Sequence, residues 1–144
     1  MAGYRPPMPF KVRHWNRLKL PTRHLLICED DLDCQIRLAA SMRRLLEPQG
    51  DAVVTCVPGG MAAAGVIGWT AVDLVILDHD MPHGNGADLM RWLRSNGRAV
   101  PVITASGIPA NNDVLMSLGA DHAFTKEQVI SGDADALIRR YLGM

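Results

Sequence analysis

The chain has no apolar run near the roughly 18 residues that a membrane-spanning helix needs. Its N-terminus, Met1 to Phe10, lacks the long apolar stretch of a secretory signal. With no address in the sequence, the expected location is the cytoplasm. Cysteine is sparse: Cys28, Cys34 and Cys56 are odd in number and match no zinc-ligand spacing. Cys28 and Cys56 end apolar runs and read as buried free thiols. No internal repeat or low-complexity segment occurs. No acidic residue precedes Glu29.

What is present fits one domain of ordinary size, since 144 residues at 48% hydrophobic can bury a real core. Net charge is zero but unevenly spread. Arg5, Lys11, Arg13, Arg17, Lys19 and Arg23 come before Glu29, which leaves nine basic and fifteen acidic residues from Glu29 onward, a net of −6. Residues 1–22, with Pro6, Pro7, Pro9 and Pro21, read as a basic arm with at most one helical turn near Trp15–Leu20. Such an arm is expected to be a solvated tail; without a recognisable motif, nucleic acid is not the expected partner. The domain proper is expected over 23–144.

Within it, strand-like and helical patterns alternate. His24–Cys28 is a short apolar run, followed by Leu32, Ile36, Ala39, Met42 and Leu46 at helical spacing, stopped at Glu47–Gly50. Ala52–Val57 is a second strand, Gly60–Ile67 an Ala-rich helix, and Val72–Asp78 the strongest strand, apolar enough for burial on both faces. Ala87–Ser95 (helix), Ala99–Thr104 (strand), Asn112–Leu118 (helix), Asp121–Thr125 (strand) and a single helix over Ile130–Leu142 follow. In that helix, Ile130, Ala134, Leu137, Ile138 and Tyr141 share a face, acids begin it, and Arg139 and Arg140 end it. The fold class is α/β, a (βα)5 chain with a parallel sheet covered on both faces. Its working site belongs beyond the carboxyl ends of the strands.

Those ends carry Glu29, Asp30 and Asp31, then Asp78 and Asp80, then Thr104, then Lys126. Several carboxylates in one cleft repel one another. Mg2+, a hard cation that takes carboxylate oxygens, water and phosphate, would make them tolerable. A carboxylate beside such an ion can attack phosphorus. A hydroxyl at Thr104 and an ammonium at Lys126 suit phosphoryl oxygens. The set reads as a phosphoryl-transfer site. Asp31 reads instead as a helix N-cap. His79 and His83 read as loop residues, Trp69 and Trp92 as packing residues, and His122 as a surface residue.

Across residues 23–142 the chain resembles the receiver domain of two-component response regulators. Leu25-Leu-Ile-Cys-Glu-Asp-Asp31 resembles the acidic pair after the first strand, and Leu77-Asp-His-Asp-Met-Pro-His-Gly-Asn-Gly86 the phosphoacceptor loop. Ile103-Thr-Ala105 resembles the switch threonine with its small follower, and Phe124-Thr-Lys126 the lysine segment. The resemblance implies a flavodoxin-like three-layer sandwich with strand order 2-1-3-4-5. It implies Asp78 as phosphoacceptor, with Thr104 and Lys126 binding phosphoryl oxygens and Ala105 leaving room for them. It implies Mg2+ held by Glu29, Asp30, Asp78 and the backbone carbonyl of Asp80.

The partners it implies are a histidine kinase or histidine phosphotransfer protein. Downstream it implies a protein target or a second copy, bound through the face of the fourth helix, fifth strand and fifth helix. The chain is then a switch and not an enzyme, beyond catalysing its own phosphorylation and dephosphorylation. Because the sequence stops at Met144, no DNA-binding output domain is expected. Three residues depart from the family pattern. Glu127 stands where proline usually follows the lysine, Ala123 where an aromatic residue is usual, and Asp80 where side chains tune dephosphorylation. Two alternatives are a receiver-like binding module that is never phosphorylated and a phosphatase of the haloacid-dehalogenase kind. Against the latter, the acidic pair here comes first, and there is no cap domain.

Overall fold

A computed structural model describes residues 23–50 and 52–144. The expected arm, 1–22, lies outside the described residues. Five strands form one sheet: β1 (Arg23–Cys28), β2 (Ala52–Val57), β3 (Leu74–Leu77), β4 (Val102–Ala105) and β5 (His122–Phe124). Their order is β2-β1-β3-β4-β5, all parallel. Among the described residues, six α-helices connect and follow them: α1 (Leu32–Leu46), α2 (Gly60–Trp69), α3 (Gly86–Ser95), α4 (Pro109–Ser117), α5 (Lys126–Ser131) and α6 (Asp135–Tyr141). A 3-10 turn, Glu47–Gln49, closes α1.

The central strands explain the layering. Every residue of β3 is buried, and alternate residues of β1 and β3 enter different cores. Leu26, Cys28, Val75 and Leu77 pack with Ala63, Ile67, Leu89, Leu93 and Leu115, from α2, α3 and α4. Leu25, Ile27, Leu74 and Ile76 pack with Leu38, Met42, Val129, Ala134 and Ile138, from the α1, α5 and α6 side. The result is the three-layer α/β sandwich expected for this fold. The domain closes on itself where Arg23 Nε donates to the Leu142 carbonyl at 2.7 Å. Among the described residues, no helix is long and apolar enough to cross a membrane.

Four expectations need correction. Leu32 and Ile36 do not belong to the buried face of α1; they are 68% and 59% exposed. The buried arc runs through Leu38, Ala39, Met42, Leu45 and Leu46, because the first turn of α1 stands clear of the sheet. The last helix is two helices. Gly132, at φ +100°, ends α5 in the left-handed conformation, and the Asp133 N–H returns to the Gln128 carbonyl at 2.9 Å. His122 is half-buried, with Nε2 3.0 Å from the Tyr141 hydroxyl and the two rings edge to face. Cys56 is half-buried on the edge strand β2, while Cys28 is buried; all three thiols are free.

Candidate functional site

The ladder carries the chemistry to one edge of the sheet. Cys28 is in register with Leu77, Leu77 with Thr104, and Thr104 with Ala123. Glu29 and Asp78 follow immediately after this row. Their backbones are still tied to the neighbouring strands, with the Glu29 N–H on the Val57 carbonyl and the Asp78 N–H on the Cys28 carbonyl, both at 3.0 Å. The loop after β3 packs tightly here. A Cβ on Gly86 would lie 2.5 Å from the Asp78 carbonyl oxygen, so only glycine fits.

Glu29 and Asp78 are 1% and 5% exposed, and Asp30 is exposed at the mouth. Each of the three offers a carboxylate oxygen, and these oxygens lie within 4.8 Å of one another. Lys126 Nζ stands 2.8 Å from Glu29 Oε2 and 3.4 Å from Asp78 Oδ2. Glu29 Oε1 accepts from the Asp31 N–H at 3.1 Å, and Asp78 Oδ1 from the His79 N–H at 2.9 Å. Burial pushes the Asp78 carboxyl above the usual carboxylate range, against the pull of Lys126. Burial does the same to Glu29, opposed by its bond to Lys126 and reinforced by the charge of Asp78. For Lys126, burial works against the charged form. The bond to Glu29 and the charge of Asp78 outweigh it and hold the ammonium above the usual lysine range.

Thr104 completes the cluster. It is fully buried, and among the described residues its hydroxyl has no hydrogen-bond partner. A buried hydroxyl left unsatisfied costs stability, and it is suited to donate to a ligand oxygen. Ala105 follows it, buried and small. The donor set therefore fits a hard divalent cation beside a phosphoryl group: carboxylates for the ion, an ammonium and a free hydroxyl for the anion.

Asp80 stands apart from the three carboxylates. Its side chain is exposed and engaged elsewhere, with Oδ1 3.0 Å from His79 Nδ1 and Oδ2 accepting from Asn111 Nδ2 at 3.1 Å. His79 lowers the Asp80 carboxyl below its usual range. His83 is exposed with φ +54° and lines a cavity of about 420 Å³ with Pro58, Gly59, Met61, Ala62 and Pro82. Neither histidine joins the carboxylate group. Asp31 caps α1, accepting from the Cys34 N–H at 2.9 Å. Trp92 packs against the core on the α3 side.

Three features of the site escaped the sequence reading. Lys126 begins α5 as its first residue, fixed by a capping box in which Thr125 and Gln128 exchange side-chain-to-backbone bonds. Thr-x-x-Gln was visible as a signature. With Glu127 in place of proline, this cap supplies the constraint, and Glu127 itself pairs with Arg37 at 3.2 Å on the surface. The Cys34 thiol also approaches Lys126 Nζ, at 3.9 Å, and Asn112 lies buried beneath the loop after β4. Neither contact leaves a signal in local sequence.

Comparison with known proteins agrees with this geometry. The family model described as "Response regulator receiver domain" matches residues 25–135. Response regulator protein PmrA of Pseudomonas aeruginosa is 33% identical over 124 residues, 83% of this chain and 54% of PmrA. Two-component response regulator ORR41 of rice is 30% identical over 107 residues, 72% of this chain and 82% of ORR41. The chain thus spans about half the length of the bacterial relative PmrA. Among solved structures, the receiver domain of sensor histidine kinase PA1611 from P. aeruginosa, with a magnesium ion in its active-site cleft, superposes with a TM-score of 0.72. It is 22% identical and is covered in full by 86% of this chain. The signal receiver domain of a histidine kinase from Syntrophus aciditrophicus gives 0.65 at 28% identity, over 85% of this chain and 91% of that one. By its fold, the order of its strand ends and these matches, the chain belongs to the response regulator receiver domain family of two-component systems.

Proposed function

We propose that this receiver domain takes a phosphoryl group onto Asp78 in a Mg2+-dependent reaction and works as a switch for protein contacts. The observation that carries the reading is the convergence of Glu29, Asp30 and Asp78 within 4.8 Å, beside Lys126 and the unpartnered Thr104 hydroxyl. Glu29, Asp30, Asp78 and the Asp80 backbone carbonyl would hold the ion, which would neutralise charge on the phosphoryl oxygens.

The donor is a phosphohistidine of a kinase or a phosphotransfer protein. An Asp78 carboxylate oxygen forms the new bond to phosphorus. The phosphorus–nitrogen bond breaks, and its electron pair returns to the imidazole, which then takes a proton. Lys126 and Thr104 bind the phosphoryl oxygens. Their inward pull biases α4, β5 and the helices after it. That side of the molecule already exposes Ile108, Val114 and Met116, which supports its use for a target protein or a second copy. The receiver family match supports the phosphoacceptor reading over the phosphatase alternative.

The test is intact-mass measurement after incubation with phosphoramidate and Mg2+. One added phosphoryl group, absent in EDTA and absent in Asp78→Asn, is the expected result. No label, or label that survives the substitution, refutes the assignment. A protein that does not label but still engages its partner in full is the unphosphorylated binding module.

A further inference from the structure

Asn112 is an unexpected residue where it stands. It occupies the first turns of α4, 7% exposed, although asparagine favours neither helix interiors nor burial. Burying a primary amide is costly unless its donor and acceptor are both used. Here they are. Oδ1 accepts from the Ser106 N–H at 3.2 Å, and Nδ2 donates to the Phe124 carbonyl at 2.9 Å. The ladder between β4 and β5 runs to Ala105 and Phe124. One residue beyond, the amide spans the gap between the two strand ends.

The positions of its partners give this bridge meaning. Ser106 is two residues after Thr104, and Phe124 two before Lys126. The loop at Ser106 is itself stiff, because the Ser106 hydroxyl accepts from the Ile108 N–H at 3.1 Å. The residue in register with Thr104 on β5 is Ala123, which has no bulk with which to register a movement of Thr104. We infer that Asn112 is a positioning residue that couples the two phosphoryl-binding arms, so that a movement of Thr104 is passed through its amide to the Lys126 arm and to α4. The inference rests on the phosphoryl-acceptor reading of the site. It adds a polar strut in place of the aromatic side chain that this chain lacks at position 123.

The test uses hydrogen exchange on the full chain with and without beryllium trifluoride and Mg2+, a phosphoryl mimic, together with phosphoramidate labelling. In the unaltered protein, protection is expected to rise together over 106–112 and 124–131. In Asn112→Ala the rise over 124–131 is lost, and labelling slows about tenfold, the size of one lost hydrogen bond on a positioned group. Asn112→Asp keeps the acceptor toward Ser106 and removes the donor toward Phe124. It should retain the response over 106–112 and lose that over 124–131, a split that general loosening of the fold would not produce. If Asn112→Ala fails to fold, Asn112→Asp decides alone. Both segments responding as before in a folded variant overturns the inference and leaves the Asp78 reading intact. An unaltered protein that neither labels nor responds overturns both.

Discussion

Asp78→Asn removes one charge from a cleft where three carboxylate oxygens lie within 4.8 Å of one another. At that separation, with an effective dielectric of about 20, each like-charged pair costs about 3.5 kcal/mol or more. Lys126, at 3.4 Å from Asp78, returns about 5 kcal/mol on the same basis. Glu29 is as buried as Asp78 and counts in full, whereas Asp30 is exposed and counts for a screened fraction. Attraction and repulsion therefore nearly cancel, and the desolvation of a carboxylate that is 5% exposed tips the sum against the charge. The metal-free protein should gain about 1–2 kcal/mol from Asp78→Asn, although most substitutions destabilise. For a domain of this size that is a rise of about 3–8 °C in Tm.

The assay is thermal unfolding in EDTA at pH 7, repeated in excess Mg2+. The ion should raise the Tm of the unaltered protein through preferential binding to the folded state, and raise that of the variant much less. Because Asp78 and Glu29 are both held above the usual carboxylate range, the folded state binds more protons than the unfolded chain between the two sets of values. Their contribution to stability is present in acid and lost as pH rises through the folded values. Lowering the pH from neutral toward the ordinary carboxylate range should thus narrow the gap between variant and unaltered protein. A variant that melts below the unaltered protein in EDTA, or equal Mg2+ shifts in both, would refute the electrostatic reasoning.

Thr104→Val deletes a buried hydroxyl with no partner and keeps its shape, so thermal melts should show a gain of about 1 kcal/mol while phosphoramidate labelling falls at least about tenfold. Gly86→Ala places a methyl group 2.5 Å from the Asp78 carbonyl oxygen and should lower stability in urea titrations by about 2–3 kcal/mol. Gly65→Ala, a helical position with open space around it, should raise stability by about 0.5–1 kcal/mol in the same titrations. Thr125→Ala removes the cap that starts α5 at Lys126; it should cost about 1 kcal/mol and slow labelling, measured by melts and intact mass.

The fold was legible because its signals are local and repeated. The apolar run Val72–Asp78 announces a strand buried on both faces, and four residues of it, Leu74–Leu77, are paired in the sheet. Asp73 and Asp78 lie just outside the strand, although their N–H groups still bond to the His24 and Cys28 carbonyls of β1. The phase error on α1 has a tertiary origin. Leu32 and Ile36 are as apolar as Leu38 and Leu45, and only the position of the sheet decides which are covered. Splitting the last helix was within reach, since Gly132 falls in the first turn of the expected span and glycine readily takes the left-handed φ seen there.

The site was legible for a different reason. Its residues are far apart in sequence, but a parallel sheet brings every strand's carboxyl end to one edge, so reading the strand ends in order is reading the site. The register makes this strict. Cys28, Leu77 and Thr104 form one row across β1, β3 and β4, and Glu29 and Asp78 are the next residues on their strands. A slip of one residue on β3 would turn Asp78 to the opposite face and bring Leu77 to the cleft. It would also carry the four apolar residues of β3 into the wrong cores. Core packing and site geometry therefore enforce one another: the alternation that buries Leu74–Leu77 also aims Asp78. The bond from Asn112 to Phe124 has no such rule behind it. It is a side-chain bond from α4 to the end of β5, chosen by shape and distance in the folded molecule, and a linear sequence carries no periodicity that reports it.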